Sequence, residues 1–275
     1  MTRHQLRQLP LPVAYPAGRL SAATDPADRV AKAQRLAEMV AVTLGVMALG
    51  WCQARLFDPR GMRDRHHKVA KNGNDLDAWI NALRATTKIM RDRPEDPVAS
   101  AVRLASRAAY PELTRCRLLR RMSIGDRRIP LLSGQVSVPV AVSPAELDAT
   151  ADAIMDAVEP LAHVRLGLVR QITRSGHAYL ASLDVLAGPA APFPRHSLLC
   201  HSPYDAGSVI VYHEGNPEFA VDLTPYCIWR RCPACGGEEL FYLHRQDQGA
   251  DRYVSFSTGH ETVVTAGRLT PSHGR

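Results

Sequence analysis

The stretch Cys232-Pro233-Ala234-Cys235-Gly236-Gly237 constrains the fold of this chain more than any other feature. Two cysteines separated by two residues can aim their thiolates at one tetrahedral ion, and the glycines allow the tight turn whose amides face sulfur. A strand before the knuckle, through Ile228 and Trp229, and one after it, Glu239 to Leu243, predict a zinc-ribbon-like β-hairpin. An ordinary ribbon would carry a second C-x-x-C, and this sequence has none. The remaining ligands must then come from single residues: Cys227, His244, His260, Cys200 and His201 are the candidates. Cys227 lies five residues before Cys232 and His244 ends the following strand, so the expected set is Cys227, Cys232, Cys235 and His244, holding a structural Zn2+. His260, in Ser257-Thr-Gly-His260, is the substitute. C-P-x-C also occurs in redox proteins of the thioredoxin type, where the pair opens a helix that lowers the thiol pKa. Here a strand pattern follows the glycines, which argues for metal. A catalytic zinc would need an open position and a nearby base, for which Glu238 and Glu239 are adjacent.

Cysteine usage supports the same reading. There are six cysteines in 275 residues. The N-terminus lacks the apolar h-region and small-residue cleavage site of a secretory signal, so a cytoplasmic location is expected. In that compartment a Cys pair more often binds metal or acts chemically than forms a structural disulfide. Met39 to Ala54 carries no charge, yet it is shorter than the ~20 residues a bilayer requires. It reads as the buried part of a long core helix, with no membrane partner.

Charge divides the chain. Residues 1–130 hold 24 Lys/Arg against 12 Asp/Glu, whereas residues 131–275 hold 10 against 15. Such asymmetry points to an anionic partner for the first half. The densest cationic run is Arg60, Arg63, Arg65, Lys68 and Lys71, the candidate nucleic-acid contacts; the plainer reading is a solvated loop.

The pattern predicts an α+β chain: residues 1–130 as a basic helical bundle, 131–262 as an α+β domain with the metal knuckle, and 263–275 as a flexible tail. Pro10, Pro12 and Pro16 predict an extended N-terminal arm. Asp25-Pro26 starts a long helix expected to reach about Phe57. Helices are expected around Leu76–Leu83, after Pro97 and after Pro111. Ser143-Pro144-Ala145-Glu146 is a capping box, followed by an apolar face of Leu147, Ala151, Ile154, Val158 and Leu161. Past Pro194, the runs 208–212, 219–223, 239–243 and 253–257 read as strands.

The layout resembles a loose group of bacterial conflict-system accessory proteins. It is similar in its Pro-rich start, its long apolar helix, the Trp-bearing segment Asp77-Ala-Trp79-Ile-Asn-Ala-Leu83, and the Cys-Pro-x-Cys-Gly segment followed by Gly259-His260. The helical part resembles a HEPN-type bundle. HEPN ribonucleases carry Arg-x4-His, and that spacing occurs here only at Arg268 and His273, in the expected tail. The resemblance therefore implies a non-catalytic, defence-associated sensor or adaptor.

The expected function is thus a zinc-binding adaptor or sensor that contacts nucleic acid or a protein partner. The alternatives are a metal-dependent hydrolase or nuclease, motivated by His196, Cys200, His201 and His213, and a structural subunit of a larger complex. No phosphate-binding loop, nucleophile elbow or dinucleotide fingerprint is present.

Overall fold

A computed structural model describes residues 3–55, 76–123, 143–247 and 249–265. Its central element is one helix. The described order begins α1 (Arg3–Gln8), α2 (Leu11–Ser21), α3 (Pro26–Arg55), α4 (Leu76–Met90), α5 (Pro97–Ser123) and α6 (Pro144–Ala157). In α3 every residue from Leu36 to Cys52 is buried. A helix apolar on all sides must be enclosed on all sides, and α3 is surrounded by α2, α4, α5, α6 and one strand of the first sheet. Its apolar window has a mean hydropathy of 1.5 and is long enough to cross a membrane, but 94% of it lies inside this fold.

Two helical glycines permit the close packing. A Cβ at Gly45 would stand 2.4 Å from Cε3 of Trp79, and one at Gly50 would stand 2.6 Å from Cδ2 of Leu223. Gly45 thus admits the Trp79 ring of α4, and Gly50 admits the sheet. At the end of the run the Trp51 indole donates to the Asp96 carboxylate at 2.8 Å. Asp96 also accepts from the amides of Val98 and Ala99, capping α5.

The N-terminal arm differs from expectation: it is helical, as α1 and α2, rather than extended. Pro12 occupies the first turn of α2, where its missing N–H has no intrahelical partner in any case. Pro16 lies inside the helix and forfeits one bond. Burial of Leu11, Val13, Ala14 and Ala17 offsets that loss. The described part of α3 reaches Arg55, and the expected end near Phe57 lies outside the described residues.

The capping box is present in full. Ser143 Oγ accepts from the Glu146 amide, and the Glu146 carboxylate accepts from the Ser143 amide. Leu147, Ala151, Ile154, Val158 and Leu161 are all buried. Asp148, on the acidic face, pairs with Arg29 of α3 at 3.0 Å, so α6 is joined to α3 by charge as well as packing.

After a short 3-10 turn (Glu159–His163) come β1 (Val164–Ser175), β2 (Ala178–Val185), β3 (Arg195–Cys200), β4 (Val209–His213), β5 (Asn216–Asp222), β6 (Cys227–Arg231), β7 (Glu238–Asp247), β8 (Ala250–Ser255) and β9 (Glu261–Thr265). They form two antiparallel sheets, ordered β3-β2-β1-β4-β5 and β6-β7-β8-β9. Strands β1, β2, β3 and β9 lie outside the four runs read from the sequence. In β1, Gly167 and scattered arginines mask the period-2 signal. The space at Gly167 is needed, since a Cβ there would meet Leu183 Cδ1 at 3.0 Å.

The boundary expected near residue 130 falls outside the described residues. On either side of it the elements share one apolar core, which runs from Leu6 through α3 and α6 to Tyr242, Tyr253 and Phe256 of the second sheet.

Candidate metal centre

The knuckle joins β6 to β7. Strand pairing brings Arg231 opposite Glu238, leaving Cys232 to Gly237 as the connecting turn. The turn is closed by its backbone: the Cys232 amide donates to Gly237 O at 2.7 Å and the Gly236 amide to Cys232 O at 2.9 Å. Gly236 sits at φ +74°, a conformation costly for any residue with a Cβ. Arg231 Nε adds a bond to Gly236 O at 2.9 Å. Cys232 is thereby buried at 1% exposure, while Cys235 is exposed.

A second turn, between β8 and β9, faces the first. Phe256 donates its amide to Leu240 O of β7, docking this turn on the hairpin. Ser255 Oγ accepts from the amides of Ser257 and Thr258. Gly259, at φ +75°, reverses the chain, and the Ser255 amide donates to His260 O at 2.9 Å. His260 is delivered to the knuckle as a result.

Four donors converge there: Cys232 Sγ, Cys235 Sγ, a Glu239 carboxylate oxygen and a His260 ring nitrogen all lie within 4.8 Å of one another. His260 Nδ1 is 3.4 Å from Cys232 Sγ. The Cys235 thiol donates to Glu239 Oε1 at 3.0 Å. In a tetrahedron with bonds of about 2.0–2.3 Å, donors stand roughly 3.3–3.8 Å apart. The Cys232–His260 separation falls in that range, and the Cys235–Glu239 contact is shorter because a thiol proton bridges it. Glu239 is further fixed by the Thr258 hydroxyl, which donates to its Oε2 at 2.7 Å.

The electrostatics keep Glu239 ionised. Burial alone would raise its pKa, but hydrogen bonds from Cys235, Ser255 and Thr258 and the charge of His260 outweigh burial and lower it. The same contact raises the Cys235 thiol, chiefly because Cys235 is the donor to Glu239.

The structure brings together three of the sequence-predicted ligands: Cys232, Cys235 and the substitute His260. It does not bring Cys227 or His244 to them. Cys227 pairs with Tyr242 at the opposite end of the β6–β7 ladder, about 16 Å of strand from Cys232. It is 1% exposed within the main core, and burial pushes its thiol pKa up. His244 lies five residues beyond Glu239 in β7, on the order of 17 Å along the strand. It is half-buried, its Nδ1 has no hydrogen-bond partner among the described residues, and burial lowers its pKa. The sequence spacing pointed to these two because they flank the hairpin. The fold brings its other two donors from the knuckle-proximal position of β7 and from the neighbouring turn.

Glu239 is the residue that sequence reasoning named only as a possible base. Its signal was the pair Glu238-Glu239 at the strand start: alternation puts Glu238 in solvent and Glu239 inward. The redox alternative requires a helix after the cysteines, and a strand is found there.

His196, Cys200, His201 and His213 do not form a metal-ligand group among the described residues. Cys200 is buried and donates to Tyr179 O, while the His213 ring lies 6.1 Å from that of His163, tilted at 42° to it. Arg60, Arg63, Arg65, Lys68 and Lys71 lie outside the described residues, as do Arg268 and His273.

No protein-family model matches the chain, and neither the curated proteins nor the solved structures contain a match to it.

Proposed function

We propose that this chain is a zinc-stapled binding protein, an adaptor or sensor that recognises an anionic macromolecule and performs no chemistry of its own. One observation carries the reading: four protein donors from two separate turns converge at the knuckle. Two thiolates and an imidazole are a donor set that favours zinc over magnesium or calcium. A fourth protein donor, Glu239, completes a tetrahedron and leaves no position for a reactive water, which is the mark of a structural site. Zinc there would tie the β6–β7 hairpin to the β8–β9 turn. The positive balance of the first 130 residues supports a nucleic-acid partner for the other half. The resemblance of the chain's motifs to conflict-system accessory proteins supports a defence setting.

A gel-shift titration against duplex DNA and single-stranded RNA tests the recognition. Binding that weakens at least about ten-fold between about 50 and 200 mM salt is expected. Absence of salt-dependent binding to either would overturn the nucleic-acid reading.

A further inference from the structure

A second site lies beside the metal centre. Helices α2 and α3 and the β8–β9 turn enclose a cleft of about 200 Å³ lined by Tyr15, Pro16, Arg19, Lys32, Arg35, Phe256 and Ser257. Three of the lining side chains are cations and none is a carboxylate. The helical spacing explains the convergence. Tyr15 and Arg19 are four residues apart on α2, and Lys32 and Arg35 are three apart on α3, so each pair shares a face.

Lys32 and Arg35 are held rather than free. Lys32 pairs with Asp28 and Arg35 with Glu38, neither of which lines the cleft. Arg35 also donates to Ser255 O at 3.4 Å, which joins the α3 wall to the turn that bears Phe256 and Ser257. Arg19 is exposed, with no hydrogen-bond or ion-pair partner among the described residues. Two oriented cations and Arg19 thus line one concavity with the half-buried Tyr15, whereas the Phe256 ring is 3% exposed and packs on Tyr242. An ordinary solvated charge patch lacks both the concavity and the adjoining Tyr15 ring.

We propose that this cleft binds a phosphomonoester, with its phosphate on Arg19, Lys32 and Arg35 and its first ring against Tyr15. Arginine forks and ammonium groups are the side chains that recognise phosphate, and aromatic rings stack on a base. The cleft falls below the roughly 300–1,000 Å³ of sites that enclose a whole drug-sized ligand. It therefore suits a phosphate with its adjoining ring rather than a complete dinucleotide cofactor. The site deepens the nucleic-acid reading by naming the chemical group recognised, and none of its lining residues is one of the four metal donors.

The test is calorimetric titration of the full chain with inorganic phosphate, adenosine monophosphate and a short oligonucleotide carrying or lacking a 5′-phosphate. Saturable binding of at least one phosphomonoester is expected, with Arg19→Ala weakening it about ten-fold, the loss of one charge-assisted contact. Tyr15→Leu should weaken adenosine monophosphate while leaving inorganic phosphate unchanged. Preference for the 5′-phosphorylated oligonucleotide over the monophosphate would identify a nucleic-acid end as the source, and the reverse would identify a free nucleotide. No binding of any phosphate species by the wild-type chain would overturn the proposal. So would binding that Arg19→Ala and Lys32→Ala both leave intact, since the anion would then sit elsewhere. Gel shifts that fail while adenosine monophosphate binds would remove the macromolecular partner and keep the cleft.

Discussion

The helical half and the knuckle end of the second sheet solve the same problem by opposite means. Around α3 the chain fills its interior with large apolar groups: Trp51, Trp79, Met47 and Leu49 are each at most 2% exposed. At the knuckle the converging side chains are Cys232, Cys235, Glu239, Thr258 and His260, which are polar or weakly apolar. Burial of a Leu or Trp stabilises in proportion to the apolar area removed from water. A cluster of thiols, a carboxylate and an imidazole gains little that way and needs an ion to become stabilising. The difference teaches that this fold has one region stable through packing and another whose stability, on the proposed function, depends on a bound ion.

Damage to the packed region should be large, global and indifferent to metal. Trp79→Ala should lower unfolding free energy by about 3–5 kcal/mol. Urea denaturation with and without a chelator checks this, and the same loss is expected in both. Gly45→Ala should cost about 1–3 kcal/mol, because its new Cβ would enter the Trp79 ring position at 2.4 Å. A neutral Gly45→Ala would mean that α3 and α4 can separate without penalty.

Damage to the knuckle should appear first in metal affinity. Thr258→Val removes the hydroxyl that orients Glu239. Losing a hydrogen bond that orients a metal-binding carboxylate weakens metal binding about 10- to 100-fold. Competition with a chromophoric zinc chelator measures it, and urea stability of the metal-loaded protein should change little.

The smallest effect is expected at Asp184 of β2, which bonds Arg170 at 2.6 Å and Arg195 at 3.3 Å. Burial works to raise its pKa, but the two arginines prevail and lower it. A depressed folded pKa gives stability that is present above the unfolded value of about 3.9 and is lost as pH falls through the folded value. Asp184→Asn should therefore cost about 1 kcal/mol at neutral pH, a modest figure because both arginines are solvent-accessible. As pH falls from about 4 through the lowered folded value, the variant and the wild type should converge. A difference that persists in acid would assign the loss to packing instead of charge.

Much of this was legible in the residues. The α3 core helix, the Ser143–Glu146 capping box and the Cys232–Cys235 turn each carry a local signal: an unbroken apolar run, a reciprocal cap, a two-residue thiol gap. What sequence could not supply was long-range. His260 reaches Cys232 across 28 positions because β9 pairs with β8 and β8 with β7, and no local pattern encodes that pairing. Cys227 looked like a ligand by sequence distance, but an extended strand converts five residues into about 16 Å of separation. The α1–α2 arm was misread for a different reason. Proline preference is local, whereas burial against α3 is tertiary, and burial won.

The central claim concerns which side chains hold the ion, and zinc content per chain across four variants tests it most directly. The wild type should carry roughly one zinc per chain, which Cys232→Ser and His260→Ala should each lose and Cys227→Ser and His244→Ala should retain. Circular dichroism on each variant separates ligand loss from unfolding. Zinc kept by His260→Ala and lost by a folded His244→Ala would contradict the account, as would a wild-type chain that binds none.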